Sequence, residues 1–165
     1  MTAEPGNPCW VHRDRVEVPI MNGELLSIEA REILIPEPVW SEVVAKGDTN
    51  PLAVALRSAP YLRPVKAVPV PETVAAWDLG AGESAVLACA LATPGSSVIL
   101  DDLAARRCAL AHRLEVTGTL GLVLRAHKRG DIVDPRATIT SLRSRGMWLS
   151  DSVVEKALSL LTKGH

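Results

Sequence analysis

SVILDDLAARRCALAHRLEVTGTLG, Ser97 to Gly121, is the stretch on which the fold turns. Val98, Ile99 and Leu100 form a short apolar strand that runs straight into two adjacent carboxylates, Asp101 and Asp102. A helix over Leu103–Leu114 follows at once and carries Arg106 and Arg107. Glu115-Val116-Thr117 fits a second buried strand, and Gly118-Thr119 opens a helix over Leu120–Lys128 with Thr119 as its N-cap. Short strands alternating with helices predict a parallel sheet covered on both faces, an α/β/α sandwich of three layers. In such sheets ligands sit beyond the C-terminal ends of the strands. Asp101 and Asp102 stand at that position, and paired acids there hold a hard divalent cation through oxygen. Glu83 is the expected third acid.

Working outward, Leu79-Gly80-Ala81-Gly82-Glu83-Ser84 leads into a helical run over Ala85–Ala92, which Pro94-Gly95 ends. The glycine turn lacks the Lys of a phosphate-binding P-loop and the third spaced glycine of a dinucleotide fingerprint. Upstream, Glu32–Ile35 reads as a strand stopped by Pro36, followed by a helix over Pro38–Ala45 that bears Glu42. Leu52–Ser58 reads as helix, and the proline-punctuated stretch Pro60–Pro71 permits an edge strand at best. Downstream come a helix over Pro135–Arg145 and another from Ser152, with Ser152 and Glu155 as a capping box. Residues 1–21 are atypical: Val16, Val18 and Ile20 alternate briefly, but Pro19 interrupts them. The whole of 1–165 reads as one domain.

With 47% hydrophobic residues the chain can bury a core and is not of a disordered class. No apolar run approaches the ~20 residues of a membrane helix, and the first residues lack a secretory leader pattern, so a cytoplasmic protein is expected. Cys9, Cys89 and Cys108 form no metal-binding pair; Cys89 and Cys108 read as small core residues. His127 falls on an apolar helical stripe and reads as a packed histidine rather than a ligand. The net charge of −1 hides an asymmetry. Through Asp102 there are 14 acids and 7 bases, or −7; beyond it 5 acids and 11 bases, or +6. An acidic site beside a basic surface suits an enzyme acting on a polyanion, although solvated basic helix faces account for the count equally well.

Each acid also has a purely structural role open to it. Asp102 is a natural N-cap, Glu83 a first-turn acid and Glu42 an exposed helix residue. Gly118-Thr119-Leu120-Gly121 fits a phosphate-binding helix start, and capping explains it equally well. Arg106 and Arg107 suit contact with RNA phosphates or a solvent-facing helix.

LGAGESAVLACALA, ILDDLAARRCA and VTGTLGLVLRAHKRGDI together resemble the PIN-domain proteins related to VapC-type toxins, in the branch with LxxGE, DDxxAR and GTLGxL motifs. ILIPEPVWSEV is similar to that branch's second strand and helix, and the resemblance runs from about Asn22 to the C-terminus. It implies a metal-dependent ribonuclease of toxin-like type, hydrolysing RNA with Mg²⁺ or Mn²⁺. Glu42, Glu83 and Asp101 carry over as metal-binding and catalytic acids, with Asp102 beside them and Thr119 lining the site. The same resemblance implies a cognate antitoxin protein and a homodimer. One element departs from the pattern. The family's first strand ends in an Asp, whereas here no such strand is evident, and Asp14, between Arg13 and Arg15, is the nearest acid. A degenerate first strand leaves a second reading, a catalytically inactive PIN fold that binds protein or RNA.

Overall fold

The computed structural model describes residues 9–11, 32–45, 47, 51–144 and 149–162. Five strands form one parallel sheet: β1 (Cys9–Val11), β2 (Ile33–Pro36), β3 (Leu62–Val65), β4 (Ser97–Ile99) and β5 (Glu115–Thr117). Their order is β3-β2-β1-β4-β5. Among the described residues the helices are α1 (Glu37–Ala45), α2 (Pro51–Ser58), α3 (Glu72–Ala75), α4 (Ala81–Ala92), α5 (Leu103–Ala111), α6 (Thr119–Arg129), α7 (Pro135–Ser144) and α8 (Asp151–Thr162). This is the expected α/β sandwich.

The N-terminal strand corrects the reading of a degenerate start. Cys9–Val11 lies in the middle of the sheet, with Trp10 opposite Leu34 on one side and Val98 on the other. Asp14, Val16, Val18 and Ile20 lie outside the described residues. The edge strand occurs at the N-terminal end of the proline-rich stretch, and Pro64 is tolerated there because an edge strand has one unpaired side.

Strand order reverses between β1 and β4, since β2 and β3 lie to one side and β5 to the other. That reversal opens a crevice at the strands' C-terminal ends. β2 is buried throughout, as is β4 after its first residue, which is the signature of parallel strands covered on both faces. Leu100 extends the ladder by donating its N–H to the Thr117 carbonyl at 2.8 Å.

α4 is apolar on nearly every side, with Ala85 through Ala90 all buried. It packs on α1, α3, α5 and the sheet, and small side chains allow that close approach. Ser96 ties its end to β4, the hydroxyl donating to the carbonyls of Ala90 and Thr93. The main core holds Ile33, Ile35, Leu87, Ile99 and Leu100. A second cluster, with Val123, Ile139, Leu142 and Val154, joins α6, α7 and α8. Gly130 ends α6 with φ +86°, a left-handed cap that suits glycine. His127 is the packed histidine expected: its Nδ1–H donates to the Ile132 carbonyl at 2.8 Å. The capping box expected at Ser152 and Glu155 is not formed. Ser150 precedes α8 and accepts from Val153 and Val154, while Glu155 makes a bidentate pair with Arg136 of α7 at 2.6 and 3.1 Å. That pairing holds the Glu155 carboxyl below the usual carboxylate range. No helix among the described residues is long and apolar enough to cross a membrane.

Cys89 and Cys108 are buried, free thiols, as expected. Burial pushes both thiols up, opposed at Cys89 by a backbone hydrogen bond with Val68. Both should therefore resist iodoacetamide at pH 8 in the folded protein and react in guanidinium, as read by peptide mass mapping. Because the folded thiols hold their protons longer, the unfolded chain ionises first, and stability should decline as pH rises past about 8.5. Rapid labelling of the native protein at either position would contradict this packing.

Candidate active site

β4 is short and buried, so the chain emerges from it at a fixed point. Leu100 is still in the core, and Asp101 is the first exposed residue after it. Thr119, the first residue of α6, holds the Asp101 carboxylate at two points. Its backbone N–H donates to Oδ1 at 2.8 Å, and its hydroxyl donates to Oδ2 at 2.6 Å. Thr119 is therefore not the N-cap; Gly118 occupies that position with an extended backbone, and Asp101 supplies the missing cap from 18 residues away. Asp101 also occupies the helix start that sequence alone left open between capping and phosphate binding.

The neighbourhood is tight. A Cβ on Gly118 would stand 2.7 Å from Asp101 Oδ1 and 2.8 Å from Arg106 Nη1, so only glycine fits. Arg106 is half-buried and donates from Nη1 to the Leu100 carbonyl at 2.9 Å, bracing the strand end from the other side. Asp102 caps α5, its Oδ1 accepting from the Ala105 N–H at 2.8 Å. Arg107 is exposed on α5.

Glu83 lies near the start of α4, whose C-terminal end leads into β4. The helix thus runs back across the sheet and brings Glu83 to the same edge as Asp101. It is buried, and its Oε2 accepts from the Gly80 N–H at 2.6 Å, closing the helix's first turn. Glu42 is half-buried in the middle of α1, which packs on α4. Topology therefore brings the start of α4, with Glu83, to the edge where Asp101 stands, whereas Glu42 lies partway along α1. Among the described residues, however, no three His, Cys, Asp or Glu side chains stand together as a metal cage.

The donors present still fit a hard cation of one kind. Mg²⁺ dehydrates reluctantly and is commonly held by one or two carboxylates with water and substrate phosphate. An ionised carboxylate has about four acceptor positions. Asp101 is exposed and uses one position on each oxygen for Thr119, so it retains capacity for such an ion.

A feature not foreseen from sequence is a groove of about 360 Å³ that opens beside Asp101 and Arg106 and runs between α6 and α8. Leu120, Leu124, Val153 and Ala157 form its sides. The helical stripe on α8 was legible, but nothing local indicates that it stops short of covering α6 at this point.

The family model described as a PIN domain, DUF3368, matches residues 20–163. The chain belongs to the PIN-domain family. No curated protein and no solved structure matches it significantly. The matched range begins after β1, so the central strand lies outside it.

The Thr119 hydroxyl can be tested separately from the backbone contact. Thr119→Val should lower stability by about 1 kcal/mol, because exposed Asp101 recovers water, whereas Thr119→Ser should stay near wild type. Gly118→Ala should cost about 1–3 kcal/mol, since neither Asp101 nor Arg106 can yield without breaking its own bond. Urea unfolding of the three variants checks the order; a Gly118→Ala protein as stable as wild type would rule out the described contact.

Proposed function

We propose that this PIN-domain protein is a metal-dependent ribonuclease of toxin-like type, hydrolysing RNA phosphodiester bonds with Asp101 as its principal acid. The observation that supports this reading is the exposed Asp101 carboxylate, held by Thr119 at the C-terminal end of the parallel sheet. The fold itself is of nuclease type.

Asp101 would hold Mg²⁺ or Mn²⁺ together with an RNA phosphate, and Glu42, Glu83 and Asp102 supply further negative charge around the edge. When bound, such an ion lowers the pKa of a water and offsets charge at the phosphodiester. Thr119 keeps the Asp101 oxygens oriented. Arg106 and Arg107, with the basic C-terminal half, attract and hold the RNA backbone through salt-sensitive contacts. The motif resemblance supports a cognate antitoxin protein and a homodimer as parts of the same proposal, and a cytoplasmic setting is proposed with them.

A second reading has its own support. The Oε2 of Glu83 and the Oδ1 of Asp102 are engaged by the backbone of their own helices. A PIN fold whose acids serve mainly as caps would bind RNA or a protein without cutting it.

Incubation with a mixed RNA pool over a range of Mn²⁺ and Mg²⁺ separates the two. The wild type should cleave, and Asp101→Ala, folded by circular dichroism, should lose about 100-fold or more. If both are equally silent at every metal concentration, the nuclease reading falls. Filter binding at two salt concentrations then distinguishes an RNA-binding module, whose affinity falls with salt, from a protein-binding one.

A further inference from the structure

The groove between α6 and α8 has a polar end, where the Asp101 carboxylate and the Arg106 guanidinium both stand, and an apolar body. Arg106, at the polar end, carries five N–H donors in a planar fork that never loses its charge. Among the described residues its one hydrogen bond is from Nη1 to Leu100, which leaves the remaining donors for a ligand. Arg106 as a whole is half-buried. Beyond it, Leu120 and Leu124 face α8, where Val153 remains 48% exposed at the groove's rim. Uncommitted donors beside an apolar slot match a ligand with an anionic group joined to a flat, weakly polar body.

We propose that this groove is a nucleotide subsite that takes one base of single-stranded RNA between α6 and α8, with the adjoining phosphate on Arg106. The identity of the ligand as RNA rests on the ribonuclease reading. The volume lies at the lower end of ligand pockets, about 300–1,000 Å³, which suits one nucleotide rather than two. The aliphatic walls accept the face of any base by burial rather than by aromatic stacking, so the subsite selects for an unpaired base and not for its identity. A base held in a duplex cannot enter, because its faces are already stacked. The bound base sets which phosphodiester lies across Asp101, and the groove thereby places the cut.

The test is a ¹H–¹⁵N NMR titration of the full chain, without divalent metal, using AMP, UMP, adenosine and inorganic phosphate. AMP and UMP should perturb the amides of Gly118, Gly121, Leu124 and Val153, with millimolar affinity. Adenosine and phosphate alone should each bind about tenfold more weakly, since each meets one end of the groove. Val153→Trp fills the slot from a half-exposed position and should remove these shifts while leaving the melting temperature near wild type. In RNA digests it should displace the cleavage positions or slow cleavage about tenfold, a loss of the size expected for one base contact. No shift in these amides up to about 10 mM mononucleotide overturns the subsite. So does wild-type cleavage that Val153→Trp leaves unchanged in rate and position. Mononucleotide binding in the groove of a protein that cuts no RNA would retain the subsite and remove the nuclease reading instead.

Discussion

The two hydrogen bonds from Thr119 to Asp101 join the end of β4 to the start of α6, and the rest of the site is arranged around them. They satisfy an otherwise unpaired helix N–H and orient a carboxylate in the same act. Gly118 has no room for a side chain because Asp101 and Arg106 crowd it, and Arg106 in turn braces Leu100. Moving any one of these groups disturbs the other three.

The same physics explains why acids gather along this edge of the sheet. In parallel α/β folds every helix that follows a strand begins at the strands' C-terminal side, so caps are needed where ligands bind. Asp102 and Glu83 meet that need for α5 and α4. Exposure separates Asp101 from Glu83, and partner separates it from Asp102, which is also exposed. Glu83 is buried and bonded within its own helix start, and Asp102 caps the helix that it opens, whereas Asp101 is exposed and reaches another element.

Much of this was legible along the chain. The apolar run into Asp101, the break at Pro94-Gly95 and the helical stripes placed β4, β5 and most helices within a few residues. β1 was not legible, because three residues with a cysteine and a tryptophan carry no period, and their strand character comes from pairing on both sides with β2 and β4. α4 begins four residues earlier than its apolar run suggests, since Glu83 caps the glycine turn and draws it into the helix. The bond between Asp101 and Thr119 was hidden because each residue already had a plausible local role. Glu155 was misassigned for a related reason: Arg136 across the helix pair offers a charged partner where the local backbone offers a neutral one.

α6 is the element through which the acid and the groove share one geometry. Leu122 packs into the main core, while Val123 and Ala126 pack into the second cluster with α7 and α8. Two ion pairs clip α8 to α7, Arg136 with Glu155 and Arg143 with Asp151, but both are exposed, and such pairs contribute little. Burial of Val154 against Ile139 and Leu142 is the larger effect, because each buried aliphatic side chain contributes about 1.5–3 kcal/mol. The outer wall of the groove is therefore set by apolar packing onto a helix whose first turn Asp101 holds. A change in the packing of α8 alters groove width directly, and it reaches Asp101 only through α6, whose first residue holds the carboxylate.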